Sequence, residues 1–288
     1  MQSTIQKTRL NHSTSYLDIK ITSMKNILLT ALCLTASLVG ITAQADSAKA
    51  DSMWDMPQPT ILSKDKTGFN DQPYQAYVQK EGIKLQGSNQ FRIDANALKL
   101  KYDHNVSTYF INEGAGYRNQ LGYTSRGVTN KEGVLFKDVS CTGAGCVGDW
   151  GGSALKLGDG VKMGEIAAKS TLDFKLRADG YNRGTNAYIF GTPDSQNADG
   201  LQHVVAYGIK GTGYILMGFE DLYGSGTSAQ GRFGERSDRD FNDTVFIVDI
   251  GKKNVDAFLG QDVPEPSIML SLLGLSAVGA FKRRRKAA

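Results

Sequence analysis

The sequence is divided into short apolar or alternating segments, each followed within a few residues by glycine, asparagine or aspartate. Such segments have the length of β-strands, and the 33 glycines of the chain leave little room for long helices. One segment, 164–169, favours a helix. The pattern predicts an all-β fold, a β-sandwich or jelly-roll-like domain over residues 96–260. The predicted strands are 98–102, 106–111, 134–139, 154–157, 171–176, 187–190, 203–209, 214–219 and 244–250.

The acidic side chains are concentrated in one segment, 218–249, on both sides of a loop rich in glycine and serine. Between residues 220 and 243 this segment has a net charge of −3. The side chains of this segment offer many oxygen atoms, and Ca²⁺ prefers oxygen ligands to nitrogen or sulfur. The alternative is a turn neutralised by arginines, in which aspartates cap backbone N–H groups. The candidate ligands are Glu220, Asp221, Asp238, Asp240, Asn242 and Asp243.

The order Asp-x-Asp-x-Asn at 238–242 matches the first half of an EF-hand loop. It lacks the glycine at the sixth position and the glutamate at the twelfth, and predicted strands flank it instead of helices. The segment is therefore not an EF-hand.

The N-terminal part predicts an exported protein. Lys25 precedes an apolar run, 27–41, and the small residues of Ala43-Gln44-Ala45 follow it. These features define a secretory signal peptide over 24–45, with cleavage after Ala45. Residues 1–23 are interpreted as an upstream extension. Residues 46–95 are polar, and we expect a lead-in segment with a strand or short helix near 74–80.

The C-terminal part combines Pro264-Glu265-Pro266, an apolar stretch at 268–281 and a basic run at 282–286. The apolar stretch is shorter than the 20 or so residues of a typical membrane span, although flanking lysines and arginines extend its reach. A basic run places this end in the cytoplasm. A short transmembrane helix with a basic tail is predicted over 263–288, either as a plain membrane anchor or as a removable one.

This C-terminal arrangement resembles the PEP-CTERM sorting signal of Gram-negative bacteria. The resemblance implies that Pro264, Glu265 and Pro266 are recognised by the membrane enzyme exosortase, which removes the tail. It also implies passage through an inner-membrane intermediate and delivery to the outer surface or the exopolysaccharide matrix. Extracellular polysaccharide is then the expected partner.

Charge and cysteine usage agree with export. The full chain has a net charge of +4, but the remainder between the two processed segments, 46–263, has a net charge of −3. Nucleic acid is therefore not expected as a partner. Cys141 and Cys146 are the two cysteines left after cleavage, and they are predicted to form a local disulfide worth about 2 kcal/mol.

The predicted domain itself resembles an exported bacterial family known as domain of unknown function 4114. The resemblance rests on 109–123, 155–180, 199–207 and the order Gly-Phe-Glu-Asp, loop, Asp-Arg-Asp-Phe-Asn-Asp within 218–243. It implies a β-rich, calcium-binding extracellular module with no established activity. When the family's motif is carried over position by position, it implies the same six candidate ligands that were named above for the acidic segment.

The main prediction is therefore a binding or structural protein and not an enzyme. The alternative is an extracellular polysaccharide hydrolase that uses Glu113 and an aspartate of the acidic segment as its two carboxylates. The favoured interpretation of Glu113 is that it bonds to backbone groups in its own turn or pairs with Arg118. His203 lies on a predicted strand without a nucleophile signature and is interpreted as structural.

Overall fold

The structure, a computed structural model, describes residues 53–78, 84–85, 92–148, 151–226 and 230–260. The predicted signal peptide with its cleavage site at Ala45 lies outside these ranges. So do Pro264, Glu265, Pro266 and the C-terminal helix. Among the described residues, no helix is long and apolar enough to cross a membrane.

The described residues form two antiparallel sheets, which confirms the predicted all-β class. The strands are β1 Arg92–Ile93, β2 His104–Asn112, β3 Asn119–Arg126, β4 Lys131–Val139, β5 Gly160–Ile166, β6 Thr171–Arg177, β7 Ile189–Gly191, β8 Val204–Gly208, β9 Tyr214–Phe219 and β10 Thr244–Asp249. The six-stranded sheet has the order β1-β8-β9-β10-β2-β5, and the four-stranded sheet has the order β4-β3-β6-β7.

The helical segments are short and lie between or after the strands. The α-helices are α1 Lys64–Thr67, α2 Gln72–Gln75, α3 Gly180–Arg183 and α4 Lys252–Phe258, and 3₁₀ turns occur at Ala95–Ala97, Gly184–Asn186 and Asp194–Gln196.

The core lies between the inner faces of the two sheets. Phe110 and Phe246 extend from the six-stranded sheet, and Leu121 and Phe174 extend from the four-stranded sheet. The rings of Phe174 and Phe246 are 5.3 Å apart. Burial of such large side chains between sheets is the main source of stability in a sandwich.

Three of the expected elements differ in the structure. The predicted helix at 164–169 is wrong, because its first residues end β5, in which Val161 and Met163 are buried while Lys162 is exposed. Residues 98–102 form only an isolated bridge between Lys99 and Thr171, and residues 154–157 form no strand. Leu98, Leu100 and Leu155 are nevertheless buried, and backbone hydrogen bonds join Leu98 and Leu100 to residues 169–172.

The segment expected as a lead-in packs against the sheets. The Phe69 ring stacks on Tyr109 of β2 at 4.1 Å, and Tyr74 contacts Tyr214 of β9 edge-to-face at 6.0 Å. On the four-stranded sheet, Met53 and Trp54 lie over Gly122, where any side chain would collide with them. This segment therefore supplies buried surface to the folded domain.

Candidate metal centre

Strand pairing brings together the two ends of the acidic segment. Strands β9 and β10 are antiparallel neighbours, and Phe219 at the end of β9 pairs with Thr244 at the start of β10. Glu220 and Asp221 therefore leave one strand beside the point where Asp243 enters the other. Residues that are far apart along the chain become neighbours through this register.

Three carboxylates converge at this position. Glu220, Asp240 and Asp243 each place one oxygen within 4.8 Å of the others, and all three residues are buried. We refer to these three residues as the carboxylate cluster. Its ligand atoms are oxygens, which suits a hard cation.

The loop that carries Asp240 is shaped by side-chain-to-backbone hydrogen bonds. The N–H groups of Arg239, Asp240 and Asn242 each donate to the side chain two residues earlier, at 3.2, 3.3 and 3.0 Å. Arg239 and Phe241 have positive φ angles of 59° and 61°, a conformation that costs free energy for a residue with a side chain. The loop is therefore folded tightly by its own polar residues.

Neighbouring segments hold this loop from two sides. Leu85 N–H donates to the Asp240 carbonyl at 2.8 Å, and Gly114 N–H donates to the Asn242 carbonyl at 3.0 Å. The carbonyl oxygen of Phe241 approaches Gly218 of β9 so closely that a Cβ there would lie 2.2 Å from it.

The other three predicted ligands have different surroundings. Asp221 accepts a hydrogen bond from Asn119 Nδ2 at 2.7 Å, and its own N–H donates to Asp243 Oδ2 at 2.7 Å. Asn242 is buried and its Nδ2 donates to Asp240 Oδ2 at 2.7 Å. Asp238 is exposed. The structure thus brings together Glu220, Asp240 and Asp243, with Asp221 and Asn242 directly behind them.

Burial and mutual repulsion destabilise the ionised forms of the carboxylates in the cluster. Burial, and then the Asp238 carboxylate, raise the pKa of Glu220 to about 7, against the lowering effect of the Leu222 N–H and the Ser237 hydroxyl. Burial, followed by Asp221, Glu220 and Asp240, raises the pKa of Asp243 well above its usual range. Burial and the neighbouring carboxylates thus both disfavour the charged forms of Glu220 and Asp243.

One oxygen of the cluster is left without a donor. Glu220 Oε1 accepts from the Leu222 N–H at 3.2 Å. Oε2 is buried, and no donor among the described residues reaches it in hydrogen-bond geometry. A buried carboxylate oxygen without a partner costs free energy unless something outside the chain compensates it.

The arginines of the segment do not neutralise the cluster. Among the ion pairs formed by described residues, none joins Arg232, Arg236 or Arg239 to these carboxylates. Arg239 instead donates to the carbonyl oxygen of Gln202 and lies against the Phe241 ring. Asp side chains do cap backbone N–H groups, as the alternative interpretation expected, but the expected arginine pairing is missing in the described part of the chain.

A buried histidine supports the backbone of Glu220. His203 Nδ1 donates to the Glu220 carbonyl at 2.8 Å, and Nε2 faces Asp199 Oδ2 at 2.9 Å. The imidazole is stacked on Phe190 at 3.6 Å between ring centroids. Burial lowers the pKa of His203, and its hydrogen bonds to Glu220 and Asp199 oppose that shift. Asp199 was not predicted from the sequence, where it is one polar residue in a glycine-containing turn.

Glu113 is occupied in holding a neighbouring loop. It is 2% exposed, and its Oε1 accepts from the Cys141 N–H at 3.3 Å. Cys141 forms a disulfide with Cys146, with their Cα atoms 6.0 Å apart. Arg118, the partner considered for Glu113, pairs with Asp138. This geometry favours the structural interpretation of Glu113.

Two family models match the chain. Residues 166–251 match the domain of unknown function 4114, and residues 262–286 match the PEP-CTERM protein-sorting motif. Both predicted features are present. The chain is thus a bacterial protein that is exported and sorted to the cell surface, with exosortase as its processing enzyme.

The first match spans β6 to β10 and includes the whole carboxylate cluster. The part of the predicted resemblance before residue 166 lies outside it. No function comes with this match, because the family is uncharacterised. No curated protein and no solved structure shows significant similarity to the chain.

Proposed function

We propose that this protein is a calcium-binding β-sandwich module that acts as a binding or structural component of the outer surface or exopolysaccharide matrix of a Gram-negative bacterium. Before exosortase acts, the C-terminal apolar helix holds the exported chain at the inner membrane, with the basic tail in the cytoplasm. Calcium orders the loop 220–243 in the mature protein.

The observation that carries the proposal is the unpartnered Oε2 of Glu220 in a cluster of three buried carboxylates. Protons or a cation can compensate the charge of such a cluster, and the raised pKa values of Glu220 and Asp243 show that the ionised carboxylates are disfavoured without such compensation. A divalent cation would satisfy Oε2 and remove the repulsion in one step.

Calcium fits this set of ligands better than a softer metal. Described residues supply carboxylate oxygens, with the Asp221 carboxylate and the Asn242 amide next to them and no cysteine or histidine among the converging atoms. Ca–O distances of about 2.3–2.6 Å allow oxygens on opposite sides of the ion to lie close to 5 Å apart. The 4.8 Å limit on the three cluster oxygens is compatible with that spacing.

The test is thermal unfolding of the processed protein, residues 46–263, with and without millimolar Ca²⁺ after chelator treatment. At a Ca²⁺ concentration 100 times Kd, binding to the native state alone adds about 2.7 kcal/mol to the free energy of unfolding. For a domain of this size the expected rise in Tm is roughly 5–10 °C.

The variants separate the site from other effects of calcium. Asp240→Asn keeps an oxygen for the Asn242 N–H but removes the charge, and we expect the Ca²⁺-dependent rise in Tm to be lost. Asp240→Ala should lose it as well. Asp238→Ala, at an exposed position of the same loop, should keep most of it. An absent rise in the unmodified protein, or an undiminished rise in Asp240→Asn, would overturn the proposal.

A further inference from the structure

A second feature lies on the loops that flank the carboxylate cluster. The Arg183 guanidinium lies between two rings, 4.4 Å from the centroid of Tyr117 and 3.9 Å from that of Phe233. The Arg118 guanidinium lies 3.6 Å from the centroid of Tyr181. The Arg232 guanidinium lies 5.4 Å from the centroid of Phe233. We call these six residues the aromatic–arginine face.

Rings of this face are exposed to solvent to an unusual degree. Tyr181 is 52% exposed and Phe233 is 40% exposed, whereas most large apolar side chains of the described residues are buried. The Arg118 guanidinium restricts the Tyr181 ring and the Arg183 guanidinium restricts the Phe233 ring, because each lies within 4 Å of the ring centroid. A rigid exposed ring loses little conformational entropy when a ligand stacks on it.

The more exposed charges of this face are guanidiniums. The carboxylates that pair with Arg118 and Arg183 are less exposed than they are, with the side chains of Asp138 and Asp179 10% exposed and that of Glu235 3% exposed. The side chains of Arg118 and Arg183 are 25% and 22% exposed. Arg232 is exposed and bonds to the Ala187 carbonyl at 3.3 Å, with no carboxylate partner among the described residues. The ion pairs thus hold Arg118 and Arg183 in place while both side chains stay partly accessible to solvent.

We propose that the aromatic–arginine face binds a carboxylated polysaccharide. The C–H face of a pyranose ring stacks on Tyr181 or Phe233, and the carboxylate of a uronic acid residue accepts hydrogen bonds from a neighbouring guanidinium. Alternating rings and guanidiniums match a polymer in which each acidic unit offers an apolar ring face beside one carboxylate.

Charge favours this ligand over nucleic acid. The mature module, 46–263, has a net charge of −3, so it repels a polymer that carries a phosphate at every unit. A polysaccharide with one carboxylate in every second sugar carries a lower charge density, and stacking supplies the rest of its affinity.

The inference rests on the proposed function in one respect. Phe233 lies in the turn between Gln230 and Glu235, which continues through Ser237 into the carboxylate cluster. Gln230 N–H donates to the Glu235 carbonyl at 2.7 Å, which closes this turn. A calcium ion that orders the loop therefore also positions Phe233 against Arg183, and we expect binding to weaken when calcium is removed.

The experiment is isothermal titration calorimetry of the processed protein with oligosaccharides of hyaluronan and heparosan, which carry glucuronic acid without sulfate. Neutral dextran oligosaccharides and a single-stranded DNA oligomer are the controls. Binding to at least one carboxylated glycan is expected, with much weaker binding to dextran and DNA. Tyr181→Ala and Phe233→Ala should each weaken binding about tenfold or more. Val128→Ala, at an exposed apolar position outside the face, should leave it unchanged.

The outcomes distinguish the two proposals. No binding to either carboxylated glycan, preferential binding to DNA, or unchanged affinity in both ring variants would overturn the proposed face. Glycan binding that is lost in Tyr181→Ala but is insensitive to chelator would support the face and contradict its dependence on calcium. The Tm measurement decides separately whether the ion site exists.

Discussion

The N–H of Asp221 donates a 2.7 Å hydrogen bond to Oδ2 of Asp243. This bond connects the residue that leaves β9 to the residue that enters β10, across a loop of more than twenty residues. Two acidic residues that would otherwise repel each other are thus held side by side by the backbone of one and the carboxylate of the other. The geometry of the cluster is therefore set by the strand pairing and not by the loop alone.

Gly218 is the position where β9 and the Asp240 loop are closest. In Gly218→Ala the new Cβ would lie 2.2 Å from the Phe241 carbonyl oxygen and 2.5 Å from Leu85 Cδ2, so the loop must move. We expect the free energy of unfolding to fall by about 1–3 kcal/mol and the Ca²⁺-dependent rise in Tm to shrink. Urea unfolding with and without Ca²⁺ measures both effects.

Gly116→Ala is the matched control for that variant. A Cβ at Gly116 meets nothing within 4 Å. Its free energy of unfolding should stay within about 0.5 kcal/mol of the unmodified protein. Equal effects of the two variants would mean that the approach of Phe241 to Gly218 does not matter for the site.

Glu113→Gln tests whether this buried carboxylate is structural. The amide keeps an oxygen for the Cys141 N–H but loses the charge that strengthens the bond. We expect a loss of about 1–3 kcal/mol in urea unfolding. Unchanged stability together with loss of hydrolysis of an acidic glycan would instead favour the hydrolase alternative.

We expect Tyr74 to make the protein less stable as the pH rises above 10. Burial, followed by the neighbouring Tyr214 and Tyr77, raises the pKa of Tyr74 from 10.0 to about 12. The folded state therefore holds this proton more tightly than the unfolded state. The resulting stabilisation is complete below pH 10 and is lost as the pH rises from 10 towards 12.

Urea unfolding of the protein and of Tyr74→Phe between pH 8 and pH 11.5 checks this expectation. The variant should gain stability relative to the unmodified protein as the pH rises, because phenylalanine has no proton to lose. A difference between the two proteins that does not change with pH would contradict the assignment.

The strands that could be predicted most reliably from the sequence are those with consecutive apolar residues. Strands β8, β9 and β10 were predicted from their runs of apolar residues, and the structure buries nearly all of these side chains. Strand β3 was missed, although nearly all of it is buried. Its polar residues find partners far along the chain, as Asn119 does with Asp221 and Asp179, and no local pattern reports such pairs.

The candidate site was predicted in composition but not in geometry. Spacing alone treats Asp238 and Asp240 as equivalent members of one series. The left-handed conformations of Arg239 and Phe241 turn the backbone between them, so that Asp240 is buried in the cluster while Asp238 is exposed. Positive φ angles at an arginine and a phenylalanine depend on tertiary contacts and have no signal in the sequence.

Helix α4 ends at Phe258, six residues before Pro264 of the sorting motif. A chain of six residues spans at most about 20 Å, less than the width of a small domain. Under the proposed membrane anchoring, exosortase acts close to the folded module, and a chain still anchored by its C-terminal helix is held against the bilayer on a short tether. Such a protein would coat the surface that carries it and could not reach far into the surrounding medium.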